Sequence, residues 1–383
     1  MRYLRWRRAR LLVPVAVSGA IGVAALTPTL SGAAAPPTLP SITPDELLAS
    51  VLQAKTPAMS GTLTWTANLG LSDISTLENE LGGNGNGGGA GSGFDPISLL
   101  TGSYQIQAWL APDAEHLSLA ETSDQELDVI RNANQLWIWD SSSDSVTHLV
   151  APAKTSGATA PSAASTSTSL PLTPGQVADR ILSHVSRFAA VTTGSSLYVA
   201  GVPAYQLLVA PLNAPGSTVN HLEIDVAASG ALQGTVLQVA VYANGTAAAA
   251  LQLGFTGQIN VGEPPASELT FTPPPGAEVT THVLSGSGLQ RLAHRAHPGA
   301  AGSPQMSVLG QGWTAVVSGT AQSLSTNPEL QGLTSVVPVG GQSARLFSTD
   351  LLNVLIMPDG TFYAGFVSPE VLEADASSAV AQG

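Results

Sequence analysis

The 383-residue chain has no cysteine, so no disulfide framework braces it and no thiol is available for acylation behind a leader segment. Charge is also sparse. Only 10% of residues are charged, with 13 basic against 26 acidic and a formal net charge of −13. Such a balance repels a phosphate backbone and excludes nucleic-acid binding. Chemistry-bearing motifs are missing as well. No HExxH or Cys/His grouping joins the seven histidines, and there is no Gly-x-Ser-x-Gly elbow. The glycine-rich stretch Gly82–Gly93 lacks the Lys-Ser/Thr ending of a phosphate loop and reads as a flexible insert. His294 and His297 lie in a linker rich in Ala and Gly. The sequence therefore assigns no catalytic residue, no metal and no cofactor.

Long apolar runs are equally scarce. The one that matters, Leu11–Leu26, follows Arg2, Arg5, Arg7, Arg8 and Arg10 and precedes Ala33-Ala34-Ala35. A basic start, a short apolar core and small residues at a cleavage position read as a secretory signal peptide over residues 1–35. An uncleaved amino-terminal anchor is the alternative, although the run is shorter than a usual membrane span. Without this segment 8 basic residues face 26 acidic ones, a net charge of −18. The expected location is extracytoplasmic, secreted or in the cell envelope.

What the chain has in quantity is glycine and proline, 39 and 27 residues, a turn-rich composition that favours β architecture. From Tyr205 to Val279 apolar residues recur at every second position between closely spaced turns, the pattern of an antiparallel meander. Leu222, Ile224 and Val226 alternate with Glu223 and Asp225, and Thr235–Tyr242 is mostly apolar on both faces. Asn244-Gly245 marks a two-residue hairpin, and Leu251, Leu253, Phe255 and Ile259 form the dry face of the next strand. Leu269-Thr270-Phe271 reads as a last strand. Pro273-Pro274-Pro275 cannot donate to a ladder, so the sheet is expected to end there.

Upstream, Thr43-Pro44-Asp45-Glu46 has the form of a capping box, opening an amphipathic helix with Leu47, Leu48, Val51 and Leu52 on one face. Leu63, Trp65, Ala67 and Leu69 alternate with polar residues as a half-buried strand. Further strands are expected at Tyr104–Leu110, Leu117–Ala120, Leu127–Ile130, Gln135–Asp140 and Val146–Val150. A solvated loop over Ala151–Leu170 and a helix opened by Thr173-Pro174, with Val177, Ile181, Val185 and Phe188 as its stripe, come next. After a linker over 285–305 a smaller unit spans 306–383. It holds a candidate strand at Trp313–Val317, a short helix at Asn327–Leu333, a hairpin around Pro358-Asp359-Gly360 and a last helix from Ser368-Pro369-Glu370. So small a unit has room for only a small core and is expected to lean on its neighbour.

Two kinds of site are conceivable. Asp124, Glu126 and Asp128 share one side of an extended segment, which is expected to be a solvated outer face rather than a calcium or acid–base site. The large apolar residues Trp65, Trp109, and Trp137 or Trp139 are expected to face one way and, with Leu63, Leu69, Leu119, Leu253 and Phe255, to line a cavity. An acyl chain suits such a cavity. At about 0.8 kcal/mol per buried methylene, sixteen carbons supply roughly 12 kcal/mol before entropic costs, so few polar anchors are needed.

The stretch Tyr104–Asp140 resembles the LolA-like superfamily of bacterial envelope proteins. It has a turn at Pro112 and the run Arg131-Asn132-Ala133-Asn134-Gln135-Leu136-Trp137-Ile138-Trp139-Asp140, similar to that family's polar turn and aromatic-rich strand. Phe271–Val279, with its Pro-Pro-Gly turn, resembles the closing strand of the same group, and the succession covers about residues 43–284. The resemblance implies a mainly β (α+β) fold: a curved antiparallel half-barrel of about eleven strands with helices in its concavity, followed here by the small C-terminal α+β domain. It also implies a non-enzymatic protein that holds lipid or the acyl chains of a lipoprotein. The alternative within the same group is an envelope-stress regulator that binds a membrane-anchored anti-sigma factor. Ala111 stands before Pro112 where true carriers commonly have a basic residue, a departure that bears on lipoprotein hand-over rather than on lipid binding.

Overall fold

The computed structural model describes residues 35–55, 57–70, 101–122, 125–151, 173–176, 188–283, 306–320 and 333–381. The expected signal segment up to residue 34, the glycine-rich insert, the 152–170 loop, the helical stripe at 177–187, the whole 285–305 linker and the helix expected at 327–332 lie outside these residues. Among the described residues no helix is long and apolar enough to cross a membrane.

Strands dominate. The first sheet comprises β1 (Met59–Asn68), β2 (Thr101–Ala111), β3 (Ala114–Thr122), β4 (Gln125–Asn132), β5 (Gln135–Asp140), β6 (Ser145–Val150) and β7 (Ala189–Thr193), then β8 (Leu197–Val199), β9 (Val202–Pro211), β10 (Val219–Ala227), β11 (Val236–Ala243), β12 (Ala249–Val261) and β13 (Glu278–Val283). Their order is β13-β6-β5-β4-β3-β2-β1-β12-β11-β10-β9-β7, with β8 also paired to β9. This is a large, curved sheet that stays open, antiparallel except at one edge. It has thirteen strands rather than about eleven, because β7 and β8 share one edge of β9 and because β13 joins after the prolines.

That last junction corrects the sequence reading. Residues 263–277 form no strand, and the sheet resumes beyond them: β13 pairs parallel with β6, at the opposite edge from β7. This proline-rich segment runs as a strap, with a turn at 266–269 closed by Glu268 N donating to Pro265 O at 2.9 Å, and the proline positions have no amide to give to a ladder. Gly276, at φ 97°, supplies the backbone turn that only glycine adopts readily, and the chain recovers its amide donors at the new edge.

Helix α1 (Pro44–Gln53) begins as its sequence dictates. The Thr43 amide donates to Glu46 Oε2 at 2.9 Å and the Glu46 amide to Thr43 Oγ1 at 3.3 Å, closing the capping box. Leu47 and Val51 are buried against Leu207, Val209, Leu222 and Ile224 of the sheet.

The second sheet contains β14 (Ser307–Leu309), β15 (Val316–Thr320), β16 (Ser335–Val339), β17 (Gln342–Ser348), β18 (Asn353–Ile356) and β19 (Thr361–Gly365), ordered β14-β15-β19-β18-β17-β16. The strand expected from Trp313 starts only at Val316, because Gly312–Thr314 makes a 3-10 turn first. The hairpin at Pro358-Asp359-Gly360 is present, closed by Gly360 N donating to Met357 O at 3.0 Å. Helix α2 (Pro369–Val380) lays Leu372 and Ala376 on Val316, Leu346, Leu355 and Tyr363.

This small core is joined to the large one. Leu351 and Trp313 are buried with Leu207 and Leu222, and Trp313 Nε1 donates to Phe188 O at 2.9 Å. Thr218 N donates to Phe366 O at 2.9 Å, Ser368 N to Gly216 O at 2.7 Å, and Asp350 N to Leu69 O at 3.0 Å.

Candidate ligand-binding face

Residues directly opposite one another in a ladder project from the same face, so the register assigns every side chain to a side. On β1 the inward positions are Met59, Leu63, Trp65 and Ala67. From Leu63 the inner row runs through Ile106, Leu119 and Leu127. From Ala108 it runs through Leu117, Val129 and Ile138, and from Leu110 through Glu115, Arg131, Leu136 and Leu149. In the other direction Trp65 opposes Leu253, followed by Val239, Ile224 and Leu207.

The two halves of this face are covered differently. Beneath α1, Leu207, Val209, Leu222, Ile224 and Val239 are buried. Toward β4–β6, Leu127, Val129, Leu136, Ile138 and Leu149 are each only half-buried, as are Trp65, Tyr104 and Ile106. Completing the burial of one such half-buried side chain is worth about half of the roughly 1.5–3 kcal/mol that full burial from water supplies, and the row of them together offers an apolar binding surface.

A polar group closes one end of it. Arg131 Nη2 lies 2.9 Å from Glu115 Oε1 and Arg131 Nε donates to Glu115 Oε2 at 3.3 Å. Gln176 Nε2 donates to Glu115 Oε1 at 3.0 Å. Gln176 also makes reciprocal bonds with Thr173 of 3.3 Å each, which hold its side chain beside Glu115 at this face.

The nine cavity candidates divide between the two sides of the sheet. Leu63, Leu69, Leu119, Leu253 and Phe255 are buried on the inner side, with Trp65 half-buried among them. Trp109, Trp137 and Trp139 do not face the same way as Trp65. Trp109 opposes Ser60 and His116, Trp137 opposes Ile130 and His148, and Trp139 opposes Asp128 and Val146, all on the outer side. The period of two decides this, since one residue of offset moves a side chain across the sheet. Tyr104, Ile106, Leu127, Val129, Leu136, Ile138 and Leu149 are inner residues outside the nine candidates, although the sequence places Leu127 and Val129 on the side away from the carboxylates. Their signal was available in β5, where Leu136 and Ile138 alternate with the two tryptophans.

The outer tryptophans lie on the side crossed by the strap. Trp109 stacks on His116 at 4.7 Å between ring centroids, and Trp137 stacks on His148 at 3.5 Å and touches Phe271 of the strap at 5.5 Å. His116 Nδ1 donates to the Glu268 carbonyl at 2.7 Å, and Asn132 Nδ2 donates to the Leu269 carbonyl at 3.0 Å. His116 Nε2 lies 3.4 Å from Asp128 Oδ1, an ion-pair spacing without hydrogen-bond alignment. Burial works against the charged imidazole, but Asp128 and the Glu268 carbonyl outweigh it and raise the His116 pKa above its usual 6.5. The acidic segment is thus not simply solvated. Asp128 is largely buried beside His116, and Glu126 accepts from Ser118 Oγ at 2.8 Å, while Asp124 lies outside the described residues.

A second outer-face feature was not legible beforehand. Asp225 is fully buried, accepting from Gln206 Nε2 at 3.2 Å and Gln238 Nε2 at 3.0 Å, with Gln252 Nε2 donating to Gln238 Oε1 at 3.0 Å. Gly194 and Gly254 leave room for the two glutamines: a Cβ at either would come within 3 Å of them. Burial pushes the Asp225 carboxyl up to about 7, opposed by the Gln206 and Gln238 amides and helped by the charge of Glu223.

No family model matches the sequence, and no curated protein matches it. Solved structures do. The chain is similar to the Pseudomonas aeruginosa MucA/MucB complex at 14% identity, covering 87% of this chain and 96% of that one with a TM-score of 0.44. It is similar to an uncharacterized conserved protein from Thermus thermophilus at 9% identity, over 62% and 98% of the two chains, with a TM-score of 0.33. A LolA superfamily protein from Nitrosomonas europaea matches at 8% identity over 60% and 99%, with a TM-score of 0.23. At such values the functional reading rests on the geometry of the face itself.

Proposed function

We propose that this is a non-enzymatic extracytoplasmic protein that holds lipid, or the acyl chains of a lipidated protein, against the inner face of its open sheet. The observation that carries the reading is the half-covered apolar row of Leu127, Val129, Leu136, Ile138 and Leu149, continuous with Trp65, Tyr104 and Ile106. An acyl chain needs such a surface and little else, at about 0.8 kcal/mol per methylene buried. The Glu115–Arg131–Gln176 group suits the polar end of an amphiphile at the margin of that surface. In this reading residues 43–284 form the lipid-holding domain, 285–305 the linker and 306–383 the second domain, exported by residues 1–35.

The test is native mass spectrometry and solvent extraction of the protein purified from its own host. An amphiphile is expected to co-purify, to be lost from Ile138→Lys, which places a charge on the inner face, and to be kept by Trp109→Ala, which changes only the outer face. Retention by Ile138→Lys, or no amphiphile in the unaltered protein, refutes the proposal. If a membrane-anchored protein co-purifies instead, the alternative role as an envelope regulator takes its place.

A further inference from the structure

We infer that β13 is a self-pairing edge, through which two copies of this chain join into one continuous sheet about a two-fold axis at Thr280. A free strand edge exposes a row of unpaired backbone donors and acceptors, and proteins blunt it with proline, lysine, bulges or brevity. Among the described residues the two sheets end in four places. β16 carries Pro338, β14 is three residues long, and β7 stops at Thr193 before β8 takes over the same side of β9. β13 has none of these devices.

Its sequence, Glu278-Val279-Thr280-Thr281-His282-Val283, has no proline or lysine, pairs with β6 without a bulge and is exposed at all six positions. Val279 and Val283 are 44% and 73% exposed. Val and Thr favour a strand, and Glu278 is the one carboxylate in it.

The choice of occupant follows from the order of side chains. Antiparallel pairing of β13 with itself, centred on Thr280, sets Glu278 opposite His282 of the partner subunit and Val279 opposite Thr281 of the partner subunit. Both members of each pair have the same parity and so lie on the same face. The two-fold repeats each pair, giving two Glu–His contacts and a Thr–Thr contact on the axis, all of them favourable cross-strand combinations. An isologous contact of this kind closes at the dimer and leaves no edge to propagate. A single strand pair lies at the small end of specific interfaces, so a reversible dimer of about micromolar affinity is expected. The inference is independent of the ligand reading.

Sedimentation velocity on the full chain over about 1–200 µM, a range that brackets such an affinity, is expected to show a monomer–dimer equilibrium. His282→Glu places two glutamates opposite one another, and Glu278→Lys removes the carboxylate that faces His282, so each is expected to weaken the dimer several-fold. The combined change sets opposite charges facing one another and is expected to recover it. Because the chain has no cysteine, Thr280→Cys introduces a unique thiol whose partner copy lies directly opposite, at a Cα spacing of about 4.5–5.5 Å that suits a disulfide. Mild oxidation is expected to link it, and to leave a control Ser335→Cys on β16 monomeric. A protein that stays monomeric throughout overturns the inference, as does a dimer indifferent to the charge exchange or a Thr280→Cys variant that links no faster than the control.

Discussion

Replacing Asp225 by asparagine should turn a steeply pH-dependent stability into a flatter one. In the native protein the Asp225 carboxyl is pushed from 3.8 up to about 7 by burial, with the amides of Gln206 and Gln238 only partly offsetting the cost. Between about pH 4 and 7 the folded state therefore keeps a proton that the unfolded chain has released. By linkage, stability is highest below this window and falls as pH rises through it. About three units at 1.36 kcal/mol each correspond to about 4 kcal/mol at full ionisation. Asparagine has nearly the same shape and never ionises. Its oxygen can still accept from Gln238, and its amide can donate to Gln206 once that side chain turns its own amide over, so the network of 3.0–3.2 Å bonds survives. Urea unfolding at a series of pH values compares the two proteins directly. Asp225→Asn is expected to be the more stable by up to about 4 kcal/mol at pH 8 and to match the unaltered protein near pH 4. A difference between the two proteins that is the same at pH 4 and pH 8 refutes the reasoning.

Other measurements reach the two faces of the sheet. Leu63, fully buried between Ile106 and Phe255, should cost about 2–5 kcal/mol in urea unfolding when changed to alanine, because the surrounding strands cannot collapse into the space. The strap should be held most firmly at low pH. His116 has a raised pKa, so its charged form favours the folded state, and the hold it provides is complete below about 6.5 and lost as pH rises through the raised value. Amide protection of the backbone around Glu268 and Leu269 is expected to fall over that range and to be low and pH-independent in His116→Ala; unchanged protection in that variant would show that Asn132 and Trp137 hold the strap alone.

Much of the fold was legible because its determinants are local. The capping box at Thr43, the alternation along β1, the Pro358-Asp359-Gly360 turn and the apolar stretch that became β11 are properties of a few adjacent residues, and each element formed where those residues stand, whereas Asn244-Gly245 turns the chain within a five-residue connection, 244–248, rather than as a two-residue hairpin. The proline run also spoke truly, in that no strand forms across it. Where the chain went next was not local information. Once amide donors reappear beyond Gly276, any open edge can receive them, and β6 did so only because the folded strap ends beside it.

The same division runs through the candidate site. Leu136 and Ile138 against Trp137 and Trp139 is a contrast any reader of β5 can see, and the short turn at Ala133-Asn134 carries the parity from β5 back to β4. Composition and period thus determined that a large, sparsely charged sheet exists and which side chains travel together on each strand. Which of the two sides faces α1 was decided by the packing of Leu47 and Val51 on Leu207, Val209, Leu222 and Ile224, and the pairing of β1 with β2 and β12 carries that choice along the sheet across separations of tens to hundreds of residues that no local rule bridges. A sheet has two faces related by a single residue of offset, and only tertiary contacts, through α1 on one side and the strap on the other, make one of them the inside.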